Sequence, residues 1–217
     1  MKMRVPLVED FELLGTSSGR TWESVPWHPL TRVTGGSTYQ SRFKLAWSTA
    51  GIYGLADFED ETLTCQHRQD FDDIFHDDVV EAFFWPAESR PLYLEYELSP
   101  LGRELPILVP NDGGSFMGWR PWHYEGDRKT RTATHVCGGP AEPGATVTGW
   151  SAEFFIPFTL FRGIARPASV GDCWRANIYR IDYDQTPSTQ WAWCPDTGGN
   201  FHWYERFGTI EFGPRLD

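Results

Sequence analysis

Phe75-His76-Asp77-Asp78-Val79-Val80-Glu81-Ala82-Phe83-Phe84-Trp85-Pro86 sets two rings and two acids before an apolar run that is interrupted once, by Glu81. A strand points alternate side chains to opposite faces, so Val79, Glu81 and Phe83 share one face while Asp78, Val80, Ala82 and Phe84 share the other. One face of this strand therefore presents a carboxylate between apolar neighbours. Burying an unpaired charge costs several kcal/mol, roughly. Glu81 thus either meets a cation inside the protein or lines a cleft that water or a polar ligand reaches, and the strand alone leaves both open.

The same kind of run recurs at 43–47, 52–58, 92–99, 131–137, 148–156, 174–181, 190–193 and 207–212, each bounded by Gly, Pro, Asn or Asp. No window long enough for a large helix keeps a 3.6-residue period. The pattern predicts an all-β chain: an antiparallel β-sandwich of jelly-roll type with long aromatic loops, as one domain over 1–217. A helical turn is expected at 157–162, opened by Pro157 and closed by Gly163. The turn-rich stretches 109–127, with Phe116, Trp119, Trp122 and Tyr124, and 195–205 read as binding loops, because disordered loops rarely carry so many rings. Residues 1–37, with a Pro/Trp-rich patch from Trp22 to Leu30, are expected to wrap the sandwich edge in extended form.

Composition narrows the partners. A net charge of -11 without any Lys/Arg cluster argues against nucleic acid and against an anionic membrane, both of which need a basic face. The 11 Trp, 15 Phe and 8 Tyr exceed what a core of this size needs, and exposed flat rings beside polar groups suit planar or sugar-like ligands. Cys65, Cys137, Cys173 and Cys194 are widely spaced, without the C-x-x-C pairs of zinc or redox sites, so they form two disulfides or stay thiols. The first ten residues lack the apolar core of a signal peptide, and no stretch approaches a membrane span, so the chain as it stands is expected to be soluble and unexported, or extracytoplasmic if a leader was removed. No G-x-S-x-G, H-E-x-x-H or phosphate loop occurs, and no catalytic residue is assigned. Acids are plentiful, so glycoside hydrolysis by a carboxylate pair remains the alternative.

Three blocks carry a resemblance: 75–86, Tyr93-Leu94-Glu95-Tyr96-Glu97-Leu98-Ser99-Pro100-Leu101-Gly102, and Asn200-Phe201-His202-Trp203-Tyr204-Glu205-Arg206-Phe207-Gly208-Thr209-Ile210-Glu211-Phe212. With Gly149-Trp150-Ser151-Ala152-Glu153-Phe154-Phe155-Ile156-Pro157, Gly171-Asp172 leading into Arg175-Ala176-Asn177-Ile178-Tyr179-Arg180, and Trp193-Cys194-Pro195, the chain resembles the family 9 and family 9-like carbohydrate-binding modules over 43–212. The resemblance implies an antiparallel β-sandwich that binds a mono- or oligosaccharide without cleaving it, as an accessory to glycan-degrading enzymes. It puts an aromatic clamp on Phe75 and Phe201, with Trp203 as a nearby substitute, and a hydroxyl-binding carboxylate on Glu81. His202 and Arg180 are second-rank contacts, Arg180 alternatively pairing with Glu81 or Glu153. Members that bind cellulose- or xylan-related sugars tend to carry Arg and Asn on the strand that here holds Glu97 and Ser99, so ligand identity does not carry over.

No cofactor is required by the resemblance, although some members hold a structural Ca²⁺, for which Asp57, Asp60, Asp72, Asp73, Asp77 and Asp78 are the candidate ligands here. Related DOMON-type sandwiches bind haem through Met and His. Met117 with His123 or His202 would be that pair in this chain, which makes a haem electron-transfer module the other alternative.

Overall fold

Val79–Trp85 forms a strand buried along its whole length, in the interior of a sheet and paired on both sides. The structure is a computed structural model that describes residues 1–113, 115–122, 125–196 and 199–216, so His123 and Tyr124 lie outside the described residues. The larger of its two sheets contains β1 (Lys2–Val5), β3 (Thr31–Thr34), β6 (Val79–Trp85), β7 (Leu92–Leu98), β8 (Glu104–Asp112), β9 (Ser115–Phe116), β10 (Arg120–Pro121), β13 (Cys173–Asp182), β14 (Thr189–Ala192) and β15 (Gly208–Phe212). Its main path runs β1-β15-β13-β6-β7-β8-β10, while β14 pairs with the far half of β13 and carries β3. The smaller sheet contains β2 (His28–Pro29), β4 (Ser41–Trp47), β5 (Gly51–Glu59), β11 (Arg131–Cys137) and β12 (Gly149–Pro157), in the order β11-β12-β5-β4-β2. The pairing of β1 with β15 is parallel; the others are antiparallel.

The sheets pack face to face as a β-sandwich. Val80, Ala82 and Phe84 of β6 and Leu94, Tyr96 and Leu98 of β7 meet Phe43, Ile52, Trp150 and Phe154 of the smaller sheet in the main core. Gly54 lets the Phe154 ring lie against β5, since a Cβ there would fall 2.0–2.5 Å from three ring carbons. The opposite face of the larger sheet is also covered: Val79, Phe83, Tyr93, Ile107 and Tyr179 pack beneath Phe201, Tyr204 and Phe207. Burial on both faces explains why 79–85 reads as nearly continuous apolar sequence.

Residues 1–37 do more than wrap an edge. They add β1 and β3 to the larger sheet and β2 to the smaller. Between these strands, Trp22 and Val25 cap the outer face of the smaller sheet against Tyr53, Leu55 and Phe155. Glu153 fastens this segment by accepting from Trp22 Nε1 at 2.6 Å, Leu14 N at 2.6 Å and Gly15 N at 2.8 Å.

The stretch expected to be loop from 109 begins inside β8, a nine-residue strand paired with β7 from Leu98↔Glu104 to Leu92↔Pro110. Pro106 and Pro110 disguise it in the sequence. Both are tolerated because β8 has only short partners on its other side, and their carbonyls still accept from Trp122 N and Met117 N. Pro157 ends β12 instead of opening a helix, and a 3₁₀ turn follows at Phe158–Phe161. All four cysteines are free thiols. No helix among the described residues is long and apolar enough to cross a membrane.

Candidate functional site

Side-chain alternation and strand register build the site. In the β6–β7 pair Glu81 lies opposite Glu97 and Phe83 opposite Glu95, while β13 sets Tyr179 opposite Glu81. All three carboxyls therefore point away from the main core, onto the second face of the larger sheet. There they line a cavity of about 370 Å³ whose walls include Phe75, Phe116, Trp119, Phe201 and His202. Phe75 comes from a 3₁₀ turn at Ile74–His76, Phe116 from β9, and Phe201 and His202 from the segment before β15.

The carboxyls are almost out of reach of solvent: Glu81 is 2% exposed, Glu95 4% and Glu97 0%. Apart from the contact of Glu95 with Glu97, neither Glu97 carboxyl oxygen has a hydrogen-bond partner among the described residues, nor has Glu95 Oε2. No Lys or Arg lines the cavity among the described residues. Burial, and then repulsion from Glu95, raises Glu81 well above the usual carboxylate range. Glu97 is raised likewise by burial and by its two neighbours. Glu95 is pushed up to about 8 by burial, opposed by a hydrogen bond with Glu97. Two carboxylates have no donor between them, so that bond exists only when one of the pair holds a proton. The three groups titrate together.

His202 does not balance this charge. Its Nδ1 lies 3.8 Å from Glu95 Oε2, yet burial lowers its pKa to about 4, which leaves the ring neutral near pH 7. The same Nδ1 lies 2.7 Å from the Tyr93 hydroxyl, whose pKa burial raises. The hydroxyl keeps its proton, and the imidazole tautomer sets which of the two groups donates. Asn111 Nδ2 donates to the His202 carbonyl at 2.7 Å, and His202 N donates to Asn200 Oδ1 at 3.1 Å. Phe116 stacks on the imidazole with centroids 4.2 Å apart.

Of the residues singled out in the sequence, Phe75, Glu81, Phe201 and His202 meet at the cavity. Phe75 is half-buried, and its carbonyl accepts from the Tyr183 hydroxyl at 2.7 Å. Phe201 is 8% exposed and lies flat on Tyr179, with centroids 4.0 Å apart and planes 15° from parallel. Trp203 is not among the lining residues; it sits under the Arg206 guanidinium at 4.7 Å and donates from Nε1 to Glu205.

Arg180 requires a correction. It is wholly buried on the opposite face of β13, where it pairs with Asp182 Oδ2 at 2.6 Å and Asp60 Oδ2 at 3.2 Å and donates to Ser41 Oγ. Its cross-strand neighbour is Val80, a main-core residue, so alternation denies it the cleft as firmly as it gives Glu81 to it. Neither Glu81 nor Glu153 is its partner. Sequence reasoning passed over Glu95 and took Glu97 only as a departure from a family pattern. The signal was in Tyr93-Leu94-Glu95-Tyr96-Glu97, where two acids share a parity.

The acids named as Ca²⁺ ligands are spread out. Asp57 pairs with Arg42, and Asp72 accepts from the N–H groups of Arg68 and Gln69. Asp77 accepts from those of Gln66 and His67, and Asp78 from those of Thr64 and Tyr183. Of these, only Asp60 belongs to a cluster that could grip a cation among the described residues, formed with Asp182 and Asp184, whose ligand atoms lie within 4.8 Å of one another. Arg180 already binds two of these three. As for haem ligands, Met117 is 64% exposed.

No protein-family model matches the chain, and a search of curated proteins finds no match. Solved structures match its fold. A crystal structure from Bacteroides uniformis ATCC 8492, of a protein to which carbohydrate binding has been ascribed, gives a TM-score of 0.79 at 18% identity, covering 97% of this chain and 98% of that one. A family 9 carbohydrate-binding module from Caldicellulosiruptor kristjanssonii in complex with cellotriose gives 0.70 at 17% identity, covering 100% and 96%. A family 9 module from the same organism in complex with glucose gives 0.68 at 17%, covering 100% and 98%. The chain thus has the β-sandwich fold of the family 9 carbohydrate-binding modules.

Proposed function

We propose that the chain is a noncatalytic carbohydrate-binding module whose ligand, a mono- or oligosaccharide, occupies the cleft over Glu81. The observation that carries this reading is the convergence of rings and carboxyls on one cavity of about 370 Å³, on a sheet face otherwise sealed by apolar side chains. The C–H face of a pyranose stacks on an aromatic ring, and Phe75 and Phe201 supply rings from two different loops. Carboxyls at the base accept hydrogen bonds from hydroxyl groups that would otherwise lose their water. That two modules of this fold were solved with cellotriose and glucose supports the assignment.

Electrostatics favours binding over hydrolysis. A glycosidase needs one carboxyl held protonated and another left ionised. Here burial raises Glu81, Glu95 and Glu97 alike, and no Lys or Arg lines the cavity among the described residues to hold one of them ionised.

Calorimetry against a panel of mono- and oligosaccharides tests the reading, followed by a reducing-sugar assay on whatever binds. Phe75→Ala is expected to weaken binding at least about tenfold, or ~1.4 kcal/mol, while leaving the melting temperature nearly unchanged. Full affinity in that variant would overturn the clamp, and release of reducing ends would overturn the noncatalytic assignment.

A further inference from the structure

The cleft holds an imbalance that a neutral sugar does not resolve. Glu97 has no exposed surface and, apart from Glu95 itself, no partner for either carboxyl oxygen among the described residues, and Glu95, 4% exposed, finds no donor for Oε2 outside the trio. Both aim into the cavity together with Glu81. The titratable groups near the trio are Tyr93 on β7, Tyr179 on β13, and Tyr183, Asp73 and His202 from the surrounding turns. The tyrosines and Asp73 are neutral or acidic, and His202 is held neutral by burial. His76 is exposed at the rim. The buried base of the cleft therefore contains acceptors in excess and no permanent cation among the described residues.

Such an arrangement is costly while empty and favourable around one kind of group. An ammonium carries three N–H donors and one positive charge, which suits several carboxylates converging from one side. The π faces of Phe75, Phe116 and Trp119 around the opening add attraction for a cation that no polar wall would supply. A neutral hydroxyl satisfies an acceptor but brings no charge against which the buried carboxyls can ionise.

We propose that the ligand's inner end carries an ammonium group, and that the ligand is an amino sugar with a free amine, of the glucosamine class. This deepens the carbohydrate reading and rests on it. Entry of the ammonium returns the carboxyls to their ionised form, so binding releases protons to solvent.

The test is calorimetry on the full chain at slightly acidic pH, with glucosamine, N-acetylglucosamine, glucose and the sugar-free amine ethanolamine, each in two buffers of different ionisation enthalpy. Glucosamine is expected to bind at least about tenfold tighter than either neutral sugar, with a heat that varies with buffer because protons are released. Glu97→Gln is expected to lose that preference, and Glu95→Gln serves the same purpose should the first variant not fold.

Glucose or N-acetylglucosamine binding as tightly as glucosamine would overturn the ammonium assignment and leave carbohydrate binding standing. Ethanolamine binding as well as glucosamine, with no neutral sugar bound, would overturn the sugar half and retain the cation site. Glucose bound only after Ca²⁺ is added would overturn the proposal by giving the ammonium's place to a metal ion. No binding by any of the four would overturn the amino-sugar proposal, and the carbohydrate reading falls with it only if the wider panel of oligosaccharides is also empty.

Discussion

Glu95→Gln should make the protein less sensitive to rising pH. Glu95 is 4% exposed, and its pKa stands at about 8 in the folded chain against the ordinary 4.5. Between those values the folded state keeps a proton that the unfolded state has lost. Stability from this group is therefore fully present below pH 4.5 and is lost as pH rises to about 8, at ~1.4 kcal/mol per pH unit. His202 acts in the opposite sense, because its folded pKa is lowered from 6.5 to about 4; its contribution is present above pH 6.5 and lost as pH falls to about 4. Comparing pH 6.5 with pH 8 avoids the histidine. Over that interval the raised carboxyl forfeits on the order of 1–2 kcal/mol. Asp60, raised to about 7, and Asp78, raised to about 9, lose stability in the same direction but do so in wild type and variant alike and cancel in the difference, whereas Glu81 and Glu97, both raised in part by Glu95, fall in the variant and add to the gain. Urea denaturation of both proteins at the two pH values measures it. The variant should gain on the order of 1–2 kcal/mol on wild type from the lower to the higher pH. Parallel pH dependences would mean that Glu95 is already ionised in the folded protein, and the charge imbalance that underlies the ammonium inference would be refuted with it.

Arg180→Met should destabilise the fold by about 3–5 kcal/mol by leaving Asp60 and Asp182 buried without their cation, measured by denaturant unfolding; a neutral result would deny the ion pair its structural role. Gly54→Ala should cost about 1–3 kcal/mol and lower the melting temperature, since its Cβ would overlap the Phe154 ring; an unchanged melting temperature would mean that the ring moves freely aside. Chelation with EDTA should leave the melting temperature where it was, because Arg180 already neutralises two of the three acids at Asp60, Asp182 and Asp184; a fall on chelation, restored by Ca²⁺, would assign a structural ion to that cluster.

By itself the sequence determined the sandwich and one half of the cleft. Runs such as 79–85 and 131–137 match strands end to end, because period-two alternation and flanking Gly, Pro and Asp are local properties that a chain displays before it folds. The oddity of Glu81 was legible for the same reason: a charge inside an apolar run is visible without a partner. Gly208 of the terminal Phe207-Gly208 pair was legible only as part of a family pattern, and the structure supplies its cause, since a Cβ there would lie 2.6 Å from Cys194 Sγ.

Tertiary structure decided the rest, through relations between residues far apart in the chain. Whether Arg180 faces ligand or core depends on its register with Val80, about a hundred positions away. The gathering of Glu95 and Glu97 around Glu81 depends on which strand pairs with β6 and in what alignment. β8 escaped notice because its prolines are tolerated only where neighbouring strands are short, a fact about the sheet and not about the segment. Trp203 and Phe201 are two residues apart in one aromatic loop, yet the fold sets one under Arg206 beside the 3₁₀ turn at Tyr204–Arg206 and the other onto Tyr179 at the cleft. Side-chain type is written in the sequence, but the direction in which a charge points, and what other charge it meets there, is set by pairing.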